Sequence, residues 1–138
     1  MTPAEYKAFL LETARTGKLA TVRRDGRPHI VPIWFDLDGD DLIFTTWHKS
    51  VKAVNMQRDP RVCLCIDDET PPFAYVQIEG TAVFSDDMAE LRRWATRIGG
   101  RYMGADQAEA YGRRNSVEGE LVVRITPTKI IARTGIAD

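Results

Sequence analysis

The sequence predicts a mainly β protein, a small antiparallel barrel of six strands with helices set between some of them. Three observations predict it. Short runs alternating apolar and polar residues recur along the chain, tight-turn dipeptides such as Asp25-Gly26 and Asp38-Gly39 separate them, and helical spacing is confined to a few stretches. Strands that follow one another through such turns pair antiparallel, whereas a βαβ sheet needs a crossover between successive strands.

The chain opens with Thr2-Pro3-Ala4-Glu5, a capping box with proline at the first helical position. Tyr6, Phe9, Leu10 and Ala14 then recur at helical spacing up to Gly17. From there the period shortens, giving strands over Leu19–Arg23, His29–Leu37 and Leu42–Thr46. Ser50 caps a helix that runs to about Arg58, because the residue before Pro60 disfavours helical backbone. Strands resume at Arg61–Asp67 and, beyond Pro71-Pro72, at Phe73–Phe84, where Gly80 suggests a bulge. A helix opened by Asp86 or Asp87 carries Leu91, Trp94, Ala95 and Ile98 and breaks at Gly99-Gly100. A shorter one covers Ala105–Arg114, and strands Glu120–Thr126 and Lys129–Thr134 close the chain.

The 138 residues fit one domain, 1–138. A chain of about this size buries roughly 68 to 70% of its unfolded surface. With 19 basic and 20 acidic residues the chain lacks the basic excess of a general nucleic-acid binder. No apolar run approaches the length of a membrane span, and the first residues lack a secretory pattern. Cys63 and Cys65 form neither a disulfide framework nor a zinc site, and read as a small buried pair on one strand face. The expectation is a cytoplasmic protein that holds no metal.

One stretch carries chemistry. In Phe44-Thr45-Thr46-Trp47-His48-Lys49-Ser50-Val51-Lys52 a strand ends in two hydroxyls and a helix begins with two lysines. A helix N-terminus bears partial positive charge and unpaired amides, so lysines there are misplaced by roughly 0.3 to 1 kcal/mol each unless an anion is bound. Amides, the hydroxyls of Thr45, Thr46 and Ser50, and the ammonium of Lys52 would then converge on a phosphate. The alternative is that both lysines point into solvent.

Around that stretch, Gly26-Arg27-Pro28-His29, Val31-Pro32-Ile33-Trp34-Phe35, Lys49-Ser50-Val51-Lys52 and Arg58-Asp59-Pro60-Arg61-Val62 form a set. It resembles the pyridoxamine-phosphate-oxidase-like split-barrel flavoproteins, and is most similar to their deazaflavin-dependent reductase branch. The likeness runs from about Gly17 to Thr134. It implies a split barrel of the FMN-binding type and a homodimer with cofactors in grooves between subunits. It places the strand of Pro32, Ile33 and Trp34 beside the ring system, with Lys49 and Lys52 near the phosphate and Tyr75 reaching from the second subunit. Pro32 cannot donate to a ladder and leaves neighbouring backbone groups for a ring edge, although a proline-shielded edge strand reads the same way.

The implied function is an oxidoreductase that passes a hydride from reduced deazaflavin coenzyme F420 to an electron-poor small molecule: a quinone, an enone or a tetrapyrrole. Two alternatives stand beside it: an FMN-binding oxidase or flavin reductase, and a non-enzymatic carrier of flavin or deazaflavin. Lys18, Arg23, Arg24 and Arg27 offer a strip for the acidic tail of coenzyme F420. Hydride chemistry belongs to the cofactor, so neither His29 nor His48 is assigned a catalytic role. The Gly99-Gly100 break with Arg101-Tyr102 and Tyr111–Arg114 suggests a mobile cover over the substrate space.

Overall fold

The computed structural model describes residues 1–138. Helix α1 (Pro3–Glu12) is capped by Thr2, whose hydroxyl accepts the Glu5 amide at 3.2 Å. It buries Phe9 and Leu10 and stops at Glu12, leaving Ala14 outside. Strands β1 (Gly17–Val22) and β2 (Pro28–Ile33) form a hairpin whose turn uses Gly26 at φ 87°. Strands β3 (Asp36–Asp38) and β4 (Asp41–Trp47) form a second, turning at Gly39 with φ 61°. Both values lie where a β-carbon is strained, hence glycine. Then follow α2 (Val51–Arg58), β5 (Arg61–Asp68), β6 (Ala74–Ser85), α3 (Met88–Met103), a single 3₁₀ turn, α4 (Ala108–Arg114) and β7 (Glu120–Thr134).

The seven strands form one antiparallel sheet in the order β2-β1-β5-β6-β7-β4-β3. Strands β2 and β3 are therefore its two opposite edges, yet only Trp34 and Phe35 separate them in the chain. Three residue steps span at most about 11 Å. The edges must meet, so the sheet curls into a barrel, and β2 and β3 remain unpaired where they meet. That is the split. It explains why the apolar run His29–Leu37 is two strands rather than one; the sheet has seven strands where the expected barrel has six.

Alternation decides what each strand buries. Leu42 and Phe44 of β4 fill the barrel with Leu19, Phe35, Leu64, Ile66, Val76, Val123 and Ile125. Ile43, between them, faces outward and packs with Val122 against Leu91, Trp94 and Ile98 of α3. Each such side chain contributes about 1.5 to 3 kcal/mol when taken from water, which fixes α3 on the barrel's outer wall. Arg101 adds to this by donating to the carbonyls of Leu10 at 2.6 Å and Thr13 at 3.2 Å.

Three local expectations are corrected. Helix α3 does not break at Gly99-Gly100; it continues to Met103. The glycines serve packing instead: a β-carbon on Gly99 would sit 2.4 Å from Cβ of Tyr111, and one on Gly112 would sit 2.0 Å from Oγ1 of Thr96. The two closing strands are one, β7, continuous through Pro127, with the register shift falling opposite Glu79/Gly80 where a bulge is expected. Cys63 and Cys65 share a face but are only half-buried, because Val62, Leu64 and Ile66 take the barrel side of β5. No helix is long and apolar enough to cross a membrane.

Candidate functional site

Beside the split lies a cavity of about 270 Å³. The end of β2 and the link beyond it supply Pro32, Ile33 and Trp34, β4 supplies Thr45, and α2 supplies Lys52. Helix α3 closes one wall with Ala95, Ile98 and Gly99, and Asn115 enters from the end of α4. Five expected site residues thus meet in one place, although 11 positions separate Trp34 from Thr45 in sequence.

The period of two in β4 sets neighbouring hydroxyls apart. Thr45 follows Ile43 onto the α3 side and lines the cavity. Thr46 turns the other way, is buried, and places Oγ1 2.8 Å from Oγ of Ser50. Ser50 Oγ accepts the Ala53 amide at 3.2 Å and so caps α2. The amides of Val51 and Lys52 have no partner within the helix. Thr46 and Ser50 therefore order the helix start, and Thr45 and Lys52 face the open space. Lys49 is exposed on the turn before the helix.

Lys52 is half-buried and forms no ion pair. Burial pushes its ammonium below the ordinary lysine range, and the carboxylate of Glu120 opposes that shift. Burial likewise raises the Glu120 carboxyl, with Lys52 and His48 pulling it back. Glu120 begins β7 directly across from Trp47, and His48 Nδ1 lies 2.9 Å from the Gly119 carbonyl. A phosphate fits such a place. It would give the ammonium and the helix amides the partner that the chain itself does not provide.

The indole of Trp34, in the same cavity wall, stacks on Tyr102, with rings 5.1 Å apart and 3° from parallel, and meets Tyr111 at 5.9 Å. The Tyr102 hydroxyl accepts the Phe35 amide at 3.1 Å and donates to the Arg15 carbonyl at 2.7 Å. The expected cover, Arg101-Tyr102 and Tyr111–Arg114, does not line the cavity; Tyr102 and Tyr111 pack on Trp34 instead. Sequence reasoning missed Asn115, which stands in a polar stretch with no periodicity to mark it, and read Ala95 and Ile98 only as helix core.

Tyr75 is not in the cavity wall; it sits half-buried on β6, opposite Asp67 and Arg133. Of the basic strip, Lys18 pairs with Asp67 at 2.9 Å and Arg27 with Asp25 at 2.8 Å. Arg23 and Arg24 extend from the β1–β2 hairpin at the far end of β2 from Ile33.

The family model described as pyridoxamine 5'-phosphate oxidase matches residues 2–133. Among solved structures, a conserved hypothetical protein of Mycobacterium tuberculosis superposes with a TM-score of 0.87 at 30% identity, covering 98% of this chain and 86% of the other. A protein described as F420 reductase gives 0.72 at 28% identity, covering 90% and 94%. The Vibrio cholerae heme storage protein HutZ gives 0.76 at 18% identity, covering 99% and 98%, a likeness of fold alone. No curated protein sequence matches significantly.

Proposed function

The chain belongs to the pyridoxamine 5'-phosphate oxidase family of split-barrel proteins, and from that premise we propose that it is an oxidoreductase passing a hydride from reduced coenzyme F420 to an electron-poor conjugated small molecule. One observation carries the reading. A single cavity is lined both by the cationic and hydroxyl groups of Lys52 and Thr45 and by the side chains of Pro32, Ile33 and Trp34. That is the polarity of a flat ring system with an anionic tail.

Lys52, Thr45 and the first amides of α2 hold the phosphate, with Lys49 at the mouth and Thr46 and Ser50 keeping the helix start in place. Pro32, Ile33 and Trp34 flank the ring. When bound, the deazaflavin supplies the hydride; the protein supplies position, dry surroundings and positive charge. The 28% identity to a protein described as F420 reductase favours the deazaflavin over FMN.

The reading includes a homodimer. Ile30, on the edge strand that leads to the cavity, is 68% exposed, an apolar side chain that a second copy would cover. Tyr75 would then reach the cofactor of the neighbouring subunit.

Turnover tests the reading. Purified protein mixed with reduced coenzyme F420 and 1,4-naphthoquinone oxidises the coenzyme, seen as return of its visible absorbance. Binding of the coenzyme without oxidation by any conjugated acceptor would make the protein a carrier.

A further inference from the structure

We propose that Glu120 sets the charge selectivity of the anion site: its carboxylate, placed beside Lys52, favours a phosphate diester, which bears one negative charge, over a phosphate monoester, which bears nearly two at neutral pH. The inference deepens the phosphate-site reading and rests on it. Strand register brings the groups together. Thr45 pairs with Val122 and Trp47 with Glu120, so Thr45 and Glu120 lie on one face of the sheet, the face on which Thr45 and Lys52 line the cavity.

The start of β7 is also pinned to the turn that leads into α2. The Gly119 carbonyl accepts the His48 amide at 2.9 Å and lies 2.9 Å from His48 Nδ1. Gly119 itself, at φ 97°, passes so close to Trp47 that a β-carbon would run into the indole. Glu120 is the next residue, so this junction fixes where it stands relative to α2.

The carboxylate does not hold the lysine in place. Glu120 and Lys52 feel each other's charge, yet both are half-buried and neither forms an ion pair or a side-chain hydrogen bond. The ammonium stays free for a ligand while its charge is offset. Lys52 is the one charged residue in the cavity wall. With Glu120 beside it, much of the positive charge left for a ligand comes from the first amides of α2, roughly half an elementary charge. Lys49 adds little, being exposed on the turn and screened by water. Asp86 and Glu118 share with Glu120 a hollow of about 330 Å³, but both are exposed. Such a balance suits a single negative charge and opposes a second.

That difference separates the two candidate cofactors. The phosphate of coenzyme F420 is a diester, closed on its far side by the acidic tail, whereas that of FMN is a terminal monoester. A site with Lys52 alone would favour the dianion by Coulomb attraction, and Glu120 removes that preference.

Ring-free phosphates test the selection apart from the cofactor. At about pH 8, where a monoester is fully ionised, wild type, Glu120→Gln and Glu118→Gln are titrated with phenyl phosphate and methyl phenyl phosphate by NMR, and with FMN and coenzyme F420 by fluorescence. Removing one negative charge acts twice as strongly, in free energy, on a dianion as on a monoanion. Glu120→Gln therefore tightens phenyl phosphate and FMN about tenfold, and methyl phenyl phosphate and coenzyme F420 about threefold. Glu118→Gln, screened by water, changes each by less than about twofold. A monoester-to-diester affinity ratio that Glu120→Gln leaves unchanged, an equal shift in Glu118→Gln, or a failure of every phosphate to bind would overturn the proposal. If the ratio moves for the two small phosphates while coenzyme F420 does not bind, the selection by Glu120 stands and the cofactor assignment alone falls.

Discussion

Thr45 and Thr46 are neighbours in β4 that serve opposite sides of the sheet: Thr45 lines the cavity, and Thr46 is buried with its hydroxyl 2.8 Å from that of Ser50. Their substitutions therefore separate. Thr45→Val weakens cofactor binding several-fold and leaves stability within about 0.5 kcal/mol. Thr46→Val costs about 1 kcal/mol of stability, because it strips a buried partner from the hydroxyl that caps α2. Urea denaturation paired with cofactor titration measures both, and a single shared effect would refute the division.

Lys52→Met stabilises the cofactor-free protein at neutral pH. The native state holds the lysine proton less tightly than the unfolded chain, since burial lowers its pKa. Stability of the wild type relative to the variant then rises with pH, and the variant's advantage is gone once pH passes the ordinary lysine value of 10.5. The side chain is partly exposed, so the effect is at most about 1 kcal/mol. Urea midpoints of both proteins at neutral and alkaline pH test the sign.

Gly99→Ala sets two effects against each other. Alanine gains about 1 kcal/mol in helix propensity. The added carbon would lie 2.4 Å from Cβ of Tyr111, an atom next to the backbone that moves only if α4 moves. Overpacking of this kind costs about 1 to 3 kcal/mol or more, so the variant melts earlier. Its tryptophan fluorescence also shifts, because Tyr111 packs on Trp34. A stabilised Gly99→Ala protein would show that the two helices are not in close contact.

Tyr102→Phe keeps the ring stack under Trp34 but removes the hydroxyl that links the Phe35 amide to the Arg15 carbonyl. The expected loss is about 1 to 2 kcal/mol in urea denaturation, with the near-ultraviolet circular dichroism of the stack preserved. Tyr102→Ala, by contrast, loses the stack signal as well.

Much of the fold is legible in the chain because its signals are local. The Thr2 and Ser50 caps, the Asp25-Gly26 and Asp38-Gly39 turns and the bulge near Gly80 each depend on a few adjacent residues. What is not legible depends on distant partners. Nothing within His29–Leu37 shows that Trp34 and Phe35 carry the chain from one sheet edge to the other, because the split is a property of the whole strand order. Gly99 reads as a helix breaker until Tyr111 is seen against it. The Thr45 and Lys52 part of the cavity wall is legible because both lie in one stretch; Asn115 is not, since α3 and α4 bring it there only in three dimensions.

In the proposed function, Lys52 holds the phosphate of a bound deazaflavin. Wild type and Lys52→Met, titrated in parallel with coenzyme F420 and with FMN and followed by fluorescence, test it directly. The predicted result is that wild type prefers coenzyme F420 and that the substitution weakens it about tenfold, the loss of one charge-assisted contact. Tight FMN binding with no response to coenzyme F420, or an affinity that Lys52→Met leaves unchanged, would contradict it.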